Sequence, residues 1–282
     1  VGVSMIREGK LVGVLGVGTI GEARTFDEKE IKLLEGLADQ AAQAITNAQL
    51  FEESARRLKR TQALREIDLA ITASPDLQLI LKIMLEQTIS QLNVDAADVL
   101  LLRQSGMLEF VAGQGFRATD IKRSLLPISE GYAGQAVMER RTVNVGDLSH
   151  ADNSLLHSQV IGRENFVCYY GVPLMTKGEV KGVLEVFHRA TLTPDSEWLE
   201  FLETLAGQAA IAIDNITLFN NLQRSNAELI SAYETTLDGW SHALDLRDKE
   251  TEGHTLRVTK MTLELAQLAG LSGMGLFHIR RG

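Results

Sequence analysis

Glu250 and His254 stand four residues apart in Arg247-Asp248-Lys249-Glu250-Thr251-Glu252-Gly253-His254. On a helix that spacing puts both side chains on one face, about 6 Å apart at Cβ. A carboxylate and an imidazole so placed can share one divalent metal ion. Such an ion takes roughly four to six donors, so this pair is one edge of a site. The residues that follow add only His278 as a strong donor, beside Ile279-Arg280-Arg281, a cationic setting that disfavours a metal. The same spacing also suits a solvated helix face, because Lys249, Glu250 and Glu252 are all charged.

The stretch from Leu237 to Gly282 resembles the opening of an HD-GYP domain. The carrying residues are "LDGWSHALDLRDKETEGHTLRV", then "LELAQLAGLS", then "FHIRRG". That family comprises cyclic di-GMP phosphodiesterases with a two- or three-iron centre on a helical bundle. The resemblance implies that Glu250 and His254 are the family's first Glu-x-x-x-His ligand pair, holding iron or manganese in a longer parent protein. The His-Asp pair that names the family and its GYP loop do not occur in this sequence. The expectation is that this chain alone has no catalytic residue, holds no metal and hydrolyses nothing, while the parent is a metal-dependent phosphohydrolase.

The elements that would position such a site come from the rest of the chain. Its 282 residues suffice for about two domains. A net charge of −9 argues against a nucleic-acid or anionic-membrane surface. No segment reaches the roughly 18 apolar residues of a membrane span. The single cysteine, Cys168, forms no internal disulfide, which fits a reducing cytosol. Val1-Gly2-Val3-Ser4 has neither an initiator Met nor a basic leader, so the chain is expected to be a piece clipped at both ends.

The sequence repeats itself. Glu35-Gly36-Leu37-Ala38-Asp39-Gln40-Ala41-Ala42 matches Glu203-Thr204-Leu205-Ala206-Gly207-Gln208-Ala209-Ala210, and Leu50-Phe51 matches Leu218-Phe219 at the same spacing. Two thirds of the positions from Leu34 to Phe51 are identical in the second copy, far above chance. Upstream, Gly9, Gly13-Val14-Leu15 and Val17 pair with Gly178, Gly182-Val183-Leu184 and Val186, with one extra residue in the loop between. A period this long is a duplicated domain. The first copy is expected to keep only its last strands and last helix.

The second copy reads in full. Helical spacing runs from Thr61 to Leu92 with a break at Ser74-Pro75, where Ser74 is the expected N-cap and Pro75 the first turn. Ala97–Arg103 and Met107–Ala112 are strands joined by a tight Gln104-Ser105-Gly106 turn. Gly131–Arg140 reads as a short helix and Thr142–Val145 as a short strand. His150–Gly162 has no clean period and reads as a loop with a helical turn. Phe166–Leu174 and Val180–Phe187 are strands joined at Lys177-Gly178. Thr193 is the expected N-cap of a long helix with Pro194 at its first position. This order gives an antiparallel sheet with helices against it.

The pattern resembles a GAF domain, a regulatory ligand-binding module. The carrying segments are "GYAGQAVMERRTVNVGD" (131–147), "VPL" (172–174), "GEVKGVLEVF" (178–187) and "LETLAGQAAIAIDNITLF" (202–219). The start of the chain resembles the end of another such domain. The expected fold is α+β: a GAF-like six-stranded antiparallel sheet with flanking helices, long connecting helices and a short all-α C-terminal piece. The expected domains are 1–54, the end of a first GAF domain; 55–221, a complete one; and 222–282, a linker helix and the start of an HD-GYP domain.

Leu37, Ala41, Ala44, Ala48, Phe51, Ala55 and Leu58 recur at alternating steps of four and three. Leu205, Ala209, Ala212, Ile216 and Phe219 do the same, and the register continues through Gln223 and Asn226 to Ile230, Tyr233 and Leu237. This 3.5-residue period is that of a coiled coil, which implies a homodimer through the long helices. The alternative is that the seam only buries each helix on its own sheet.

The resemblance places an unidentified small ligand on the inner sheet face, with Tyr132, Val145, Asp147, His157, Tyr169 and Glu185 as candidate contacts. The Asn-Lys-x-x-Phe motif of cyclic-nucleotide-binding GAF domains is absent. A GAF domain that binds nothing and only dimerises is the competing reading. Cys168, between Val167 and Tyr169, reads as a packing residue. His150, His157 and His188 have no ligand spacing. "GVLGVGTIG" lacks the Lys-Ser/Thr of a P-loop. Two functions stand: the sensory and dimerisation segment of a cyclic di-GMP phosphodiesterase, or a GAF module serving another output.

Overall fold

A computed structural model describes residues 1–21, 24–117, 125–148, 164–247, 254–273, 275–276 and 279. It divides the chain into two units, Val1–Asp214 and Asn215–Gly282.

In the first unit, β1 (Gly2–Arg7) and β2 (Lys10–Gly16) form an antiparallel hairpin. Its turn residues Glu8 and Gly9 both have positive φ, 50° and 76°, the primed geometry whose twist suits a two-residue hairpin. Helix α1 (Glu28–Ala73) follows, started by a capping box between Asp27 and Glu30. Its first turns bury Leu34, Ala38 and Ala42, and it packs there on the hairpin. Its last turns bury Arg60, Ala63 and Ile67 and pack on α2 (Leu77–Leu92). The 54/55 boundary drawn from sequence therefore falls inside one continuous helix.

The main sheet has six strands in the order β5-β4-β3-β8-β7-β6, all antiparallel. They are β3 (Ala96–Leu102), β4 (Met107–Gln114), β5 (Leu125–Pro127), β6 (Val143–Val145), β7 (Cys168–Thr176) and β8 (Glu179–His188). The α+β class and the six-stranded antiparallel sheet are as the sequence predicts. The three-residue β5 carries no periodicity that a sequence reading can detect. One sheet face sends Val99, Leu101, Val172, Leu174, Leu184 and Val186 against α1, α2 and α4 (Ser196–Arg247). The other face packs Ala96, Leu100, Val183 and Phe187 against α3 (Gly131–Glu139).

The hairpins of the two copies agree in detail. Lys177 and Gly178 repeat the positive φ of Glu8 and Gly9, at 50° and 80°. The register shifts between Met5 and Ile6 in one and between Leu174 and Met175 in the other. Met5 faces Gly13 as Leu174 faces Gly182. The duplication thus extends to a β-bulge, a feature that side-chain identity alone does not report.

Two caps differ from expectation. Asp76, not Ser74, caps α2, accepting from the Gln78 and Leu79 amides, while Ser74 ends α1. Asp195, not Thr193, caps α4, accepting from the Trp198 amide at 2.7 Å. In both cases the carboxylate accepts from free helix amides, and its charge suits the positive helix end.

In the second unit α4 continues to Arg247, and α5 (His254–Leu268) follows. Gly270, at φ 85°, ends α5, and the Leu271 amide donates to the Ala266 carbonyl. Glu250 lies outside the described residues. His254 is the first residue of α5.

Candidate functional site

The inner face of the main sheet carries a polar row in an apolar setting. Gly113 of β4 pairs with Asp98 of β3, Asp98 with Glu185 of β8, and Glu185 with Gly171 of β7. Two carboxylates thus lie side by side, flanked by a glycine on each side. Strand alternation puts Asp98 on the face of Ala96 and Leu100, and Glu185 on that of Val183 and Phe187. Both residues are fully buried.

The glycines make room for rings. A Cβ on Gly171 would lie 2.3 Å from Tyr169 Oη, and one on Gly113 would lie 2.7 Å from the Phe110 ring and 3.2 Å from Asp98 Cβ. Tyr169 therefore folds its ring over Gly171, toward Glu185, and Phe110 folds over Gly113, beside Asp98. Tyr132 of α3 lies against Tyr169 with ring centroids 5.4 Å apart. Phe187 joins this group and links it to Phe166 and Phe116.

Burial dominates the electrostatics. It pushes the Asp98 carboxyl well above the usual aspartate range, and the charge of Glu185 and a hydrogen bond with it push the same way. Burial and then Glu185 likewise raise the Tyr169 phenol. Glu185 thus joins both the Asp98 carboxyl and the Tyr169 phenol in one buried polar group. Two adjacent carboxyls in this setting hold a proton between them, or accept a cation.

A second cluster ties down the margins of this face. Arg189 donates to Glu164 Oε2 at 2.6 Å and to the Glu164 carbonyl at 3.1 Å, and its guanidinium stacks on Phe166 at 4.5 Å. Glu164, almost fully buried, also accepts from the Arg117 amide at 2.7 Å. Asp95 accepts from the Arg189 amide at 2.6 Å, and His188 Nδ1 lies 2.7 Å from it.

Of the six contacts predicted from sequence, Tyr132, Tyr169 and Glu185 come together here. Val145 packs at the edge of the same core from β6. Asp147 is exposed. His157 lies outside the described residues. Sequence reading missed Asp98, Phe110, Gly113 and Gly171. The signal for Asp98 was present: a lone charge inside the apolar run Ala96–Leu102, two residues from Ala96 and Leu100 on the same strand face.

Cys168 is buried, with Sγ 3.1 Å from the Gly146 carbonyl and 3.3 Å from that of Ala190, a packing position as predicted. Among the described residues no three His, Cys, Asp or Glu side chains gather as a metal site. No described helix is long and apolar enough to cross a membrane.

The coiled-coil positions divide. Leu205, Ala209 and Ala212 are buried in the core of their own domain. Ile216 is half-buried. Phe219, Ile230 and Tyr233 are 45%, 40% and 54% exposed. The first part of the period packs the helix on its sheet, and the later part faces solvent.

Comparison with known proteins fits this geometry. Residues 76–213 match the family model described as GAF domain, and residues 1–46 match a second GAF-domain model. The chain carries a GAF domain. The GAF domain of an Acinetobacter phosphoenolpyruvate-protein phosphotransferase is 26% identical, with a TM-score of 0.51, over 56% of this chain and 94% of that one. The GAF domain of the corresponding Coxiella burnetii protein has the same fold, with 22% identity and a TM-score of 0.52 over 58% of this chain and 98% of that one. No curated protein matches the chain. The carboxylate row spans the central four strands of the GAF sheet, on the face covered by α3.

Proposed function

We propose that the chain is the sensing and dimerising segment of a signalling protein. The observation that carries this reading is the course of α4. The helix begins in the GAF core, and beyond Asp214 it leaves Phe219, Ile230 and Tyr233 exposed at coiled-coil spacing. Exposed apolar surface costs roughly 25 cal/mol per Å² relative to burial, and a second copy of the helix in parallel register covers it. The GAF domain supplies the input, a small molecule taken on the inner sheet face. The acidic chain takes no nucleic acid or anionic membrane as partner, and its lone buried cysteine suits the reducing cytoplasm.

The proposed output is a metal-dependent cyclic di-GMP phosphodiesterase. It rests on the resemblance of Leu237–Gly282 to the start of an HD-GYP domain, with Glu250 and His254 as iron or manganese ligands in the full-length protein. Phosphodiester hydrolysis of this type uses metals to activate a water and hold the phosphate. Two experiments test the two halves. Sedimentation of the chain is expected to give a dimer, and a monomer at high concentration removes the dimerisation reading. The full-length protein is expected to hydrolyse cyclic di-GMP with iron or manganese, and His254→Ala is expected to lose bound metal and turnover together. A full-length protein without that activity leaves a GAF module serving another output.

A further inference from the structure

Helix α1 crosses a stretch that neither GAF copy covers. The complete copy buries its last helix as far as Asp214, half-buries Ile216, and leaves every residue of 217–233 exposed. The duplication aligns Asp214 with Thr46 and Ile216 with Ala48. A first GAF domain built like the second therefore ends its cover on α1 by Ala48. The second domain buries α1 only from Arg60. Residues 49–59 lie between the two, about three turns of helix and roughly 16 Å long.

This stretch has an apolar side and a charged side. Phe51 and Leu58 are 76% and 59% exposed, and with exposed Ala48 and half-buried Ala55 they recur at steps of three and four. They continue the seam of Leu37, Ala41 and Ala44 without a break in phase. The far side of the helix carries an ion pair between Glu53 and Arg57. A contiguous apolar stripe open to solvent marks an interaction surface. Its period names the occupant. A strict seven-residue repeat suits a helix that supercoils about another helix, and alanine at alternate seam positions lets the two backbones approach closely. The exposed pair Leu50-Phe51 also returns as exposed Leu218-Phe219 at the matching point of α4, on the surface already read as dimerising.

We propose that residues 48–59 of α1 pair, in parallel register, with the same residues of a second copy, forming a second coiled-coil seam separate from that of α4. The pairing is two-fold symmetric, so Phe51 meets the partner's Phe51 and Ala55 the partner's Ala55. In that register Asn47 lies beside the partner's Glu52 and Ser54 beside the partner's Lys59, so no like charges meet along the seam. This inference deepens the dimer reading, which rests on α4 alone, and it depends on different residues.

Sedimentation and cysteine cross-linking of the whole chain test it. Phe51→Glu is expected to weaken dimerisation roughly tenfold or more, and to keep the circular dichroism of the wild type because the ring is exposed. Exposed Gln49→Glu, on the far side of the helix, adds the same charge and is expected to leave the dimer unchanged. Oxidation with diamide is expected to join two Ala55→Cys chains by a disulfide. Glu53→Cys is expected to stay unlinked, as is the wild type, whose Cys168 is buried. Undiminished dimerisation of Phe51→Glu overturns the proposal. A dimer lost in Phe51→Glu but not cross-linked in Ala55→Cys overturns the parallel register. A dimer broken by Phe219→Glu and indifferent to Phe51→Glu overturns this seam and leaves the one on α4, whereas the reverse result supports this seam and removes the other. A monomeric wild type removes both.

Discussion

Tyr169 folds its ring back over Gly171 of its own strand, so that Oη occupies the space an alanine Cβ would need. A Cβ placed on Gly171 would lie 2.3 Å from Oη, well inside any real contact. Gly171→Ala is expected to evict the ring and cost about 1–3 kcal/mol. Because the clash is with one side chain, Tyr169→Leu should recover part of that loss, giving a non-additive double mutant. Urea denaturation of the four proteins checks it, and strictly additive losses would show that the ring is not the obstacle.

Two aspartates three residues apart on the chain should respond to pH with opposite signs. Asp98 is held protonated by burial, then by Glu185, so its folded pKa lies above its unfolded one. Its stabilising form is complete below the usual aspartate pKa and is lost as pH rises toward the folded value. Asp98→Asn should therefore melt higher than wild type at pH 8, by about 1–4 kcal/mol, and converge with it in acid. Burial also works to raise Asp95, but the Arg189 amide and the charges of His188 and Arg189 outweigh it and hold its pKa low. Its contribution is present above the usual aspartate pKa and lost as pH falls through the folded value. Asp95→Asn should melt lower than wild type at pH 8 and converge in acid. Parallel pH–melting curves for the two variants would contradict this assignment.

Arg189 is predicted to be the most sensitive surface-facing cation of the domain. Arg189→Met keeps the packing on Phe166 but leaves the buried Glu164 carboxylate without its guanidinium, a loss of about 3–5 kcal/mol. The Arg117 amide, which donates to the same carboxylate, should exchange faster with solvent. Unchanged exchange at Arg117 would show that Glu164 holds it without Arg189.

The divided seam gives a contrast between two apolar positions on one helix, Leu205 and Phe219. Leu205→Ala should cost about 2–5 kcal/mol of stability, since Leu205 is fully buried under its own sheet. Phe219→Glu should leave that stability nearly unchanged and shift the sedimentation mass toward monomer. A Phe219→Glu chain that stays dimeric would move the interface elsewhere.

The legible part of this fold was the part written in local chemistry. Lys177-Gly178 declared its turn because few sequences accept positive φ at two successive residues, and Gly131–Arg140 declared its helix by spacing. The row of Asp98 and Glu185 was legible only by half. Glu185 stands in a segment resembling the GAF family, whereas the meaning of Asp98 depends on which strand lies beside β3, and that pairing joins residues far apart in the chain. Caps were misplaced because Ser74 and Thr193 meet the same preference as Asp76 and Asp195, and only backbone geometry decides between them. The 3.5-residue period of Leu205, Ala209 and Ala212 suits a helix that packs on its own sheet as well as one that pairs with a copy, and only burial, which puts these three in the core, tells the two apart there.

The unbroken course of α1 makes it a shaft keyed at both ends. An α-helix turns by about 100° per residue, so Leu34, Ala38 and Ala42 point to nearly the same side as Arg60, Ala63 and Ile67, although roughly 40 Å of helix separates the two groups. Between the keys the helix touches little, and Leu50, Phe51 and Leu58 lie open. The angular phase between the hairpin and the main sheet is thus stored in a residue count. Seven residues added near Leu50 would return the keys to within about 20° of their setting, while two would turn them to opposite sides. A part of the chain with few contacts of its own thereby governs orientation through its length alone.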